Sequence, residues 1–213
     1  YTLSLAFYYQ SPNATIYYTT DGSMPDHTKK KMGNEYMIFN RSATIRAVAY
    51  EKNIKVSDIV DVKYTRAKGI PNTWKMNKDN ELGTCWNYYG KDGYLVNGWL
   101  QWKGDWYYLE KEVMISNSLY SIPRDNSDSY YFYPNGKMAK GWARVSDKYN
   151  EVGSTYSPWG YYDPSTGKAT EGWKFLGGKW YYTYPSGIAR SDWYSPDNYT
   201  WYYLDPINCD MAI

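Results

Sequence analysis

Histidine, cysteine and long apolar runs are nearly missing from these 213 residues: there are one His, two Cys and four Phe. Each shortage removes a class of function. His27 stands in the loop MPDHTKKKM, away from any recognisable Ser or Cys motif, and no glycine-rich phosphate loop occurs, so no catalytic residue is assigned. Cys85 and Cys209 are far apart and lack metal-ligand spacing; they read as two unpaired thiols, and neither metal nor cofactor is expected. No segment approaches the roughly 18 apolar residues that a membrane helix needs, so no membrane insertion is expected. A net charge of +2 is too balanced for a nucleic-acid footprint, and the one basic cluster, Lys29 to Lys31, reads as a solvated loop. There is no acidic run to gather cations by charge. The Asn-X-Ser/Thr matches at Asn13, Asn40 and Asn198 carry no weight, being common by chance. No signal peptide is visible, and the opening TLSLAFYY reads as the inside of a strand, so an earlier segment is expected to have been removed.

What the chain has instead is aromatic surface. It holds 28 Tyr and 11 Trp, a 20% aromatic share, at a mean hydropathy of −0.76. Tyr and Trp rings must therefore do the burying usually done by aliphatic residues, keeping a polar tip for water or a hydrogen bond.

The aromatics divide the chain. Residues 1–66 contain no Trp, and ten of the eleven lie between Trp86 and Trp201. The first part alternates in short runs, Leu3–Tyr9, Thr15–Thr20, Tyr36–Phe39, Thr44–Tyr50 and Val56–Tyr64, with turns at Asp21-Gly22 and Glu51 to Asn53. Ile45, Ala47 and Ala49 share one strand face. This predicts a small β-sandwich. The AKGIPNT run within 67–80 has the Gly and Pro of a linker.

Beyond it a pattern recurs. Triplets ending in Tyr-Tyr start at Asn87, Trp106, Ser129, Gly160, Trp180 and Trp201; Gly-Trp, or Asp-Trp, falls at Trp99, Trp142, Trp173 and Trp193. The step from triplet to following Trp is 12 residues for Asn87 to Trp99 and 13 for Ser129 to Trp142, Gly160 to Trp173 and Trp180 to Trp193; Leu119 marks a degraded copy. The return from Trp to triplet varies in length. A constant stretch with a Gly turn inside it, as in Pro134-Asn135-Gly136, reads as a β-hairpin, and EGWKFLGGKWYYTY (171–184) as the junction of two. Lone hairpins are marginal in water, so successive ones must stack. The expected fold is all-β: a sandwich over 1–66, a linker over 67–80, and a solenoid of about six aromatic hairpins over 81–213. One Tyr of each Tyr-Tyr pair is expected to pack inward.

Two resemblances sit on these residues. SPNATIYYTTDGSMP (11–25) with ATIRAVAYEKN (43–53) and Ser57 resembles the Ig-like domain at the C-terminus of chitobiases and β-hexosaminidases, also a spacer in bacterial surface proteins; that resemblance implies a non-catalytic module, and Asp21 reads as a turn former. GWLQWKGDWYYL (98–109), YYFYPNGKMAKGW (130–142) and GWKFLGGKWYYTYPSGIARSDW (172–193) resemble the wall-binding repeats of choline-binding proteins, with glucan-binding repeats as relatives. The resemblance implies a secreted or surface protein of a Gram-positive bacterium whose partner is choline-bearing teichoic acid or a wall polysaccharide. Carried over, the first site is Trp173 and Trp180 closed by Trp201, the second Trp99, Trp106 and Tyr130. Trp193 with Trp201 makes a third only if another repeat follows. Copies with Leu119, Ser129 or Gly160 at ring positions should be broken, with Trp159 a candidate substitute and the insert 143–158 a candidate groove cover. Ring faces suit a quaternary ammonium, which has no hydrogen bond to donate. They also stack on sugars, whose hydroxyls Lys103, Asp105 and Lys179 could meet. The alternatives are therefore a glucan or other polysaccharide module, the targeting arm of a larger hydrolase, or a spacer that binds nothing.

Overall fold

The computed structural model describes residues 3–33, 36–79, 83–122, 128–145 and 156–212, and among these it is all-β with no helix. The chain divides into two compact units, Tyr1–Trp74 with Tyr88–Leu95, and Lys75–Asn87 with Val96–Ile213.

In the first unit the alternating runs become β1 (Leu3–Leu5), β2 (Thr15–Thr19), β3 (Lys30–Lys31), β4 (Met37–Phe39), β5 (Ala43–Glu51), β6 (Ile54–Lys55) and β7 (Val60–Tyr64). β1 pairs with β4; the other sheet runs β3-β2-β5-β6, with β7 also on β5. Ile45, Ala47 and Ala49 are buried on one face of β5, as their alternation requires. Asp21 is a turn former: its Oδ1 accepts from the Ser23 N–H at 2.9 Å and hydroxyl at 2.7 Å, and Gly22 follows at φ +80°. Ser57 receives the Ala49 N–H at 2.8 Å. The lysine cluster is exposed, as expected, but part of it is a strand and not a loop. Lys30 and Lys31 form a strand against Tyr18 and Tyr17, their ammonium groups 5.8 and 5.9 Å from those rings. Long stems lying on aromatic faces give a basic run a place in a sheet edge. His27 packs edge-on against Tyr50.

From Thr73 onward the described residues make six hairpins: β8 (Thr73–Asp79) with β9 (Gly83–Tyr89), β10 (Gly98–Trp102) with β11 (Asp105–Glu110), β13 (Ser118–Ser121) with β14 (Ser129–Phe132), β15 (Gly141–Arg144) with β16 (Tyr156–Tyr162), β17 (Gly172–Leu176) with β18 (Lys179–Thr183), and β20 (Asp192–Tyr194) with β21 (Tyr202–Leu204). Between them β12 (Val113–Met114) pairs with β11, and β19 (Ile188–Arg190) with β16 and β18. β8 lies inside the stretch expected to be a linker, which leaves only 67–72 as connection.

The repeat is therefore real but out of phase with the sequence reading. Gly-Trp and the triplet after it are the two strands of one hairpin, and the near-constant stretch is the link between hairpins. The reason is where each piece lies. The described tips, Lys103-Gly104 and Gly177-Gly178, are exposed, and an exposed tip tolerates changes of length. The link is buried: Gly93, Gly136, Gly167 and Gly187 are all covered, each at φ between +76° and +80°. Each link closes the same way, with Tyr133 N–H to Lys137 O at 2.9 Å, Asp163 to Lys168 at 2.8 Å, Tyr184 to Ile188 at 2.9 Å and Asp205 to Asp210 at 2.8 Å. In the last link Cys209 takes the glycine place, buried and at φ +64°. Neither cysteine is in a disulfide.

The core is aromatic, as composition demands. One tyrosine of Tyr88-Tyr89 and of Tyr161-Tyr162 is buried, as expected, but both are buried in Tyr107-Tyr108 and Tyr130-Tyr131, because a hairpin inside a stack has neighbours on both faces. Asp163 shapes its link by accepting at Oδ1 from the Ser165 N–H (3.0 Å) and hydroxyl (2.6 Å) and from the Thr166 N–H (2.7 Å) and hydroxyl (2.9 Å). These bonds hold its carboxyl far below the usual carboxylate range. A depressed folded pKa stabilises above the unfolded value of about 4 and loses that contribution as pH falls below it. Asp163→Asn should therefore melt below the parent at pH 7, with the gap narrowing under pH 4 in paired thermal melts.

Candidate functional site

Strand register places the rings. In the second hairpin Trp99 is opposite Tyr108 and Gln101 opposite Trp106; in the fifth, Trp173 is opposite Tyr182 and Phe175 opposite Trp180. Residues i and i+2 and their cross-strand partners share a face, so Trp99 meets Trp106 and Trp173 meets Trp180 within one hairpin. Two-residue tips permit the short return. Lys103-Gly104 and Gly177-Gly178 both have two positive φ angles, the twist a tight antiparallel hairpin requires.

The next hairpin supplies the third wall. Trp99 stands 6.0 Å from Trp106 at 90° and 4.9 Å from Tyr130 at 76°. Trp173 stands 6.4 Å from Trp180 at 85° and 4.9 Å from Tyr202 at 67°. A methionine from the following link completes each site. One cleft of about 330 Å³ is lined by Trp99, Trp106, Tyr130 and Met138 with Lys140, Ser165 and Thr166; the other, of about 310 Å³, by Trp173, Trp180, Tyr202 and Met211.

The second expected trio, Trp99, Trp106 and Tyr130, is thus together. In the first, Trp173 and Trp180 are together but Trp201 is not the third wall. Neighbours on a strand point to opposite faces, so when Tyr202 enters the cleft Trp201 faces away. Trp201 is 61% exposed and Trp193 57%; Trp193 packs on Tyr203 at 5.1 Å. The methionines went unseen because they belong to the link.

An ion pair clamps each rim. The residue before the triplet meets the residue before the link's bridging position: Asp105 with Lys137 at 2.6 Å, Asp128 with Lys168 at 2.5 Å, and, with charges exchanged, Lys179 with Asp210 at 2.6 Å. Beside each pair runs a backbone bond, from Met138 to Trp106 at 2.8 Å, Ala169 to Ser129 at 2.7 Å and Met211 to Trp180 at 2.7 Å. Being exposed and screened by solvent, these pairs add little to stability. The exchanged polarity favours correct neighbours over wrong ones. The same contacts engage Asp105 and Lys179, and Lys103 lies 4.7 Å over Trp102, so these three are engaged by the protein itself.

Register also moves two triplets by one residue. Arg144 is opposite Trp159 and Trp142 opposite Tyr161, so the fourth triplet is Trp159-Gly160-Tyr161. In the first, the bridge Tyr89 to Leu95 matches Phe132 to Met138 and Trp74 packs on Tyr88 at 5.0 Å, which makes it Trp86-Asn87-Tyr88. The signal was present: Trp86 to Trp99 is 13 residues, removing the odd 12. At the junction of the fourth and fifth hairpins Trp142 lies 4.8 Å from Tyr181, the same pairing, with Ala189 where the others have methionine. The junction of the third and fourth has Leu119, Ser129, Gly160 and Ala169 at the four positions. Leu119 and Ala169 pack there against Tyr131, Ala139, Ala143, Val145 and Tyr162. Most of the insert 143–158 lies outside the described residues. No cluster of His, Cys, Asp and Glu able to hold a metal occurs among those described.

Comparison with known proteins places this geometry. A family model described as "Fn3 associated" matches residues 7–64, nearly the span of the chitobiase-type resemblance. No curated protein matches the chain. Among solved structures it is similar to choline binding protein F of Streptococcus pneumoniae in crystal form II, at 26% identity and a TM-score of 0.50 over 96% of this chain and 59% of that one. The same protein in the presence of a peptidoglycan analogue gives 28% and 0.48 over the same shares. The pneumococcal cell-wall endolysin of phage Cp-1 complexed with choline gives 22% and 0.43 over 76% of this chain and 44% of that one. The chain thus spans about three fifths of the length of choline binding protein F.

Proposed function

We propose that the hairpin stack, from Thr73 onward, is a non-catalytic module that binds the choline groups of a cell-wall polymer such as teichoic acid and so holds its protein on the surface of a Gram-positive bacterium. The observation that carries this is the repeated cage: two Trp rings, one Tyr ring and one Met in the same arrangement at two junctions. Three ring faces around an apolar cleft accept an N-trimethyl group that cannot donate a hydrogen bond, at about 0.5–2 kcal/mol per face. Similarity to choline binding protein F, a choline binder by name, supports the reading. Residues 1–66 act as a spacer, and any catalytic domain lies outside this stretch.

The two cages are not equal. Lys140 lines the first, its ammonium bound to Ser165 O at 2.8 Å, whereas among the described residues no charged one lines the second. A nearby positive charge opposes a cation, so the Trp173 cage binds first. Choline titrated to tens of millimolar should change Trp fluorescence in two phases, the tighter one removed by Trp180→Ala. A flat titration in the parent would sink the choline reading and leave the spacer. A flat titration with capture on a wall polysaccharide would favour the carbohydrate alternative.

A further inference from the structure

A third groove, of about 650 Å³, runs past the first hairpin, the turn after β11 and the start of the third hairpin, and it belongs to neither cage. Its apolar walls are Trp86, 41% exposed, with Met114 and the half-buried Tyr120. Glu110, Lys111, Ser116 and Ser118 line it too; Glu110 Oε2 accepts from the Tyr108 hydroxyl at 3.4 Å and the Ser118 hydroxyl donates to Leu119 O at 2.9 Å. We propose that this groove binds pyranose rings of a polysaccharide, a ligand class distinct from the choline read in the cages.

Three features carry the assignment. The first is the mixture of groups. A sugar ring offers an apolar face and a rim of hydroxyls that donate and accept, so it needs a flat ring beside groups of both kinds. Trp86 supplies the face, Glu110 accepts, Lys111 donates, Ser116 does both and Ser118, its proton on Leu119 O, accepts. The choline cages present almost no such rim. The second is charge. Glu110 and Lys111 cancel, which removes the electrostatic preference for a cation, and at about 650 Å³ the groove has about twice the volume of either cage. The third is the backbone. Glu110 pairs with Val113, so Lys111 and Glu112 form a two-residue tip, at φ +49° and +73°. Both are positions glycine fills at least cost, and the solenoid uses glycine at the Gly177-Gly178 tip. A two-residue tip leaves the chain between Glu110 and Val113 little freedom, which holds Glu110 and Lys111 at fixed places on the groove.

The test uses the whole chain and two probes, a β-linked N-acetylglucosamine trisaccharide and maltotriose, followed by amide and indole shifts in two-dimensional NMR. The expected result is saturable binding of at least one probe, with shifts at Trp86 and residues 110–120. Trp86→Ala and Glu110→Gln should each weaken it about tenfold, with choline affinity unchanged. Trp180→Ala should weaken choline and leave the saccharide alone. Glu110→Gln keeps shape and volume, so it decides the matter if Trp86→Ala misfolds. The proposal is overturned if neither saccharide binds, if Glu110→Gln binds as the parent does, or if saturating choline displaces the saccharide. Because choline is read separately, loss of the cage reading and loss of the groove reading give different spectra.

Discussion

Tyr202→Ala should weaken choline at the fifth and sixth hairpins by about 2- to 30-fold, while Trp201→Ala should leave that site unchanged. The range is the worth of one ring face, about 0.5–2 kcal/mol, converted to affinity. Tyr202 stands 4.9 Å from Trp173 and lines the cleft. Trp201, one residue earlier, is mostly exposed and lines nothing there. Spacing alone favours Trp201, because tryptophan is the better cation partner and opens the triplet. Strand alternation reverses that choice. Isothermal titration of both variants against the parent separates the two, with circular dichroism as a folding control. Equal losses in both variants, or loss in Trp201→Ala only, would show that the ligand sits on the opposite face. Tyr202→Phe should retain most of the affinity, since the face and not the phenol makes the contact.

The second large effect is on stability. Gly167→Val should cost about 2–4 kcal/mol and weaken the Trp99 cage as well. Gly167 is at φ +76°, a conformation that costs a residue with a Cβ roughly 1–2 kcal/mol and a β-branched one more. A Cβ built there falls 2.4 Å from the Met138 methyl and 3.1 Å from Ala139 O. The methionine can move, but Met138 is the fourth wall of the Trp99 cleft. Each turn glycine rests in this way on the link before it: Gly136 on Met114, Gly167 on Met138, Gly187 on Ala169. Urea denaturation measures the first effect and choline titration the second. If stability falls while both cages bind normally, the link and the cage are independent and the stacked-link account fails.

Much of this was legible from composition and counting. The change in tryptophan use at residue 66, the alternation of the first strands, the number of hairpins and the trio Trp99, Trp106 and Tyr130 all came from the sequence. Three things did not, each for a physical reason. The phase is hidden because constant length marks the constrained piece, and burial makes that piece the link. Trp86 and Trp159 are hidden because in those copies the tyrosines at positions 89 and 162 belong to the bridging position beyond the triplet. Met138 and Met211 were missed because sequence shows no reason to join a flexible side chain to a ring some thirty residues earlier. That join is made by a backbone bond from the methionine's own N–H.

The contrast between a buried link and a free tip also says where the molecule can be lengthened. The second and fifth hairpins turn in two residues, Lys103-Gly104 and Gly177-Gly178. The third and fourth leave seven and eleven residues between their strands, as Ser121 to Ser129 and Arg144 to Tyr156 bound them. The two exposed two-residue tips are natural grafting points, where a peptide epitope or a fluorophore could be carried. The same insertion in a link would break the rotation from one hairpin to the next and every cage beyond it.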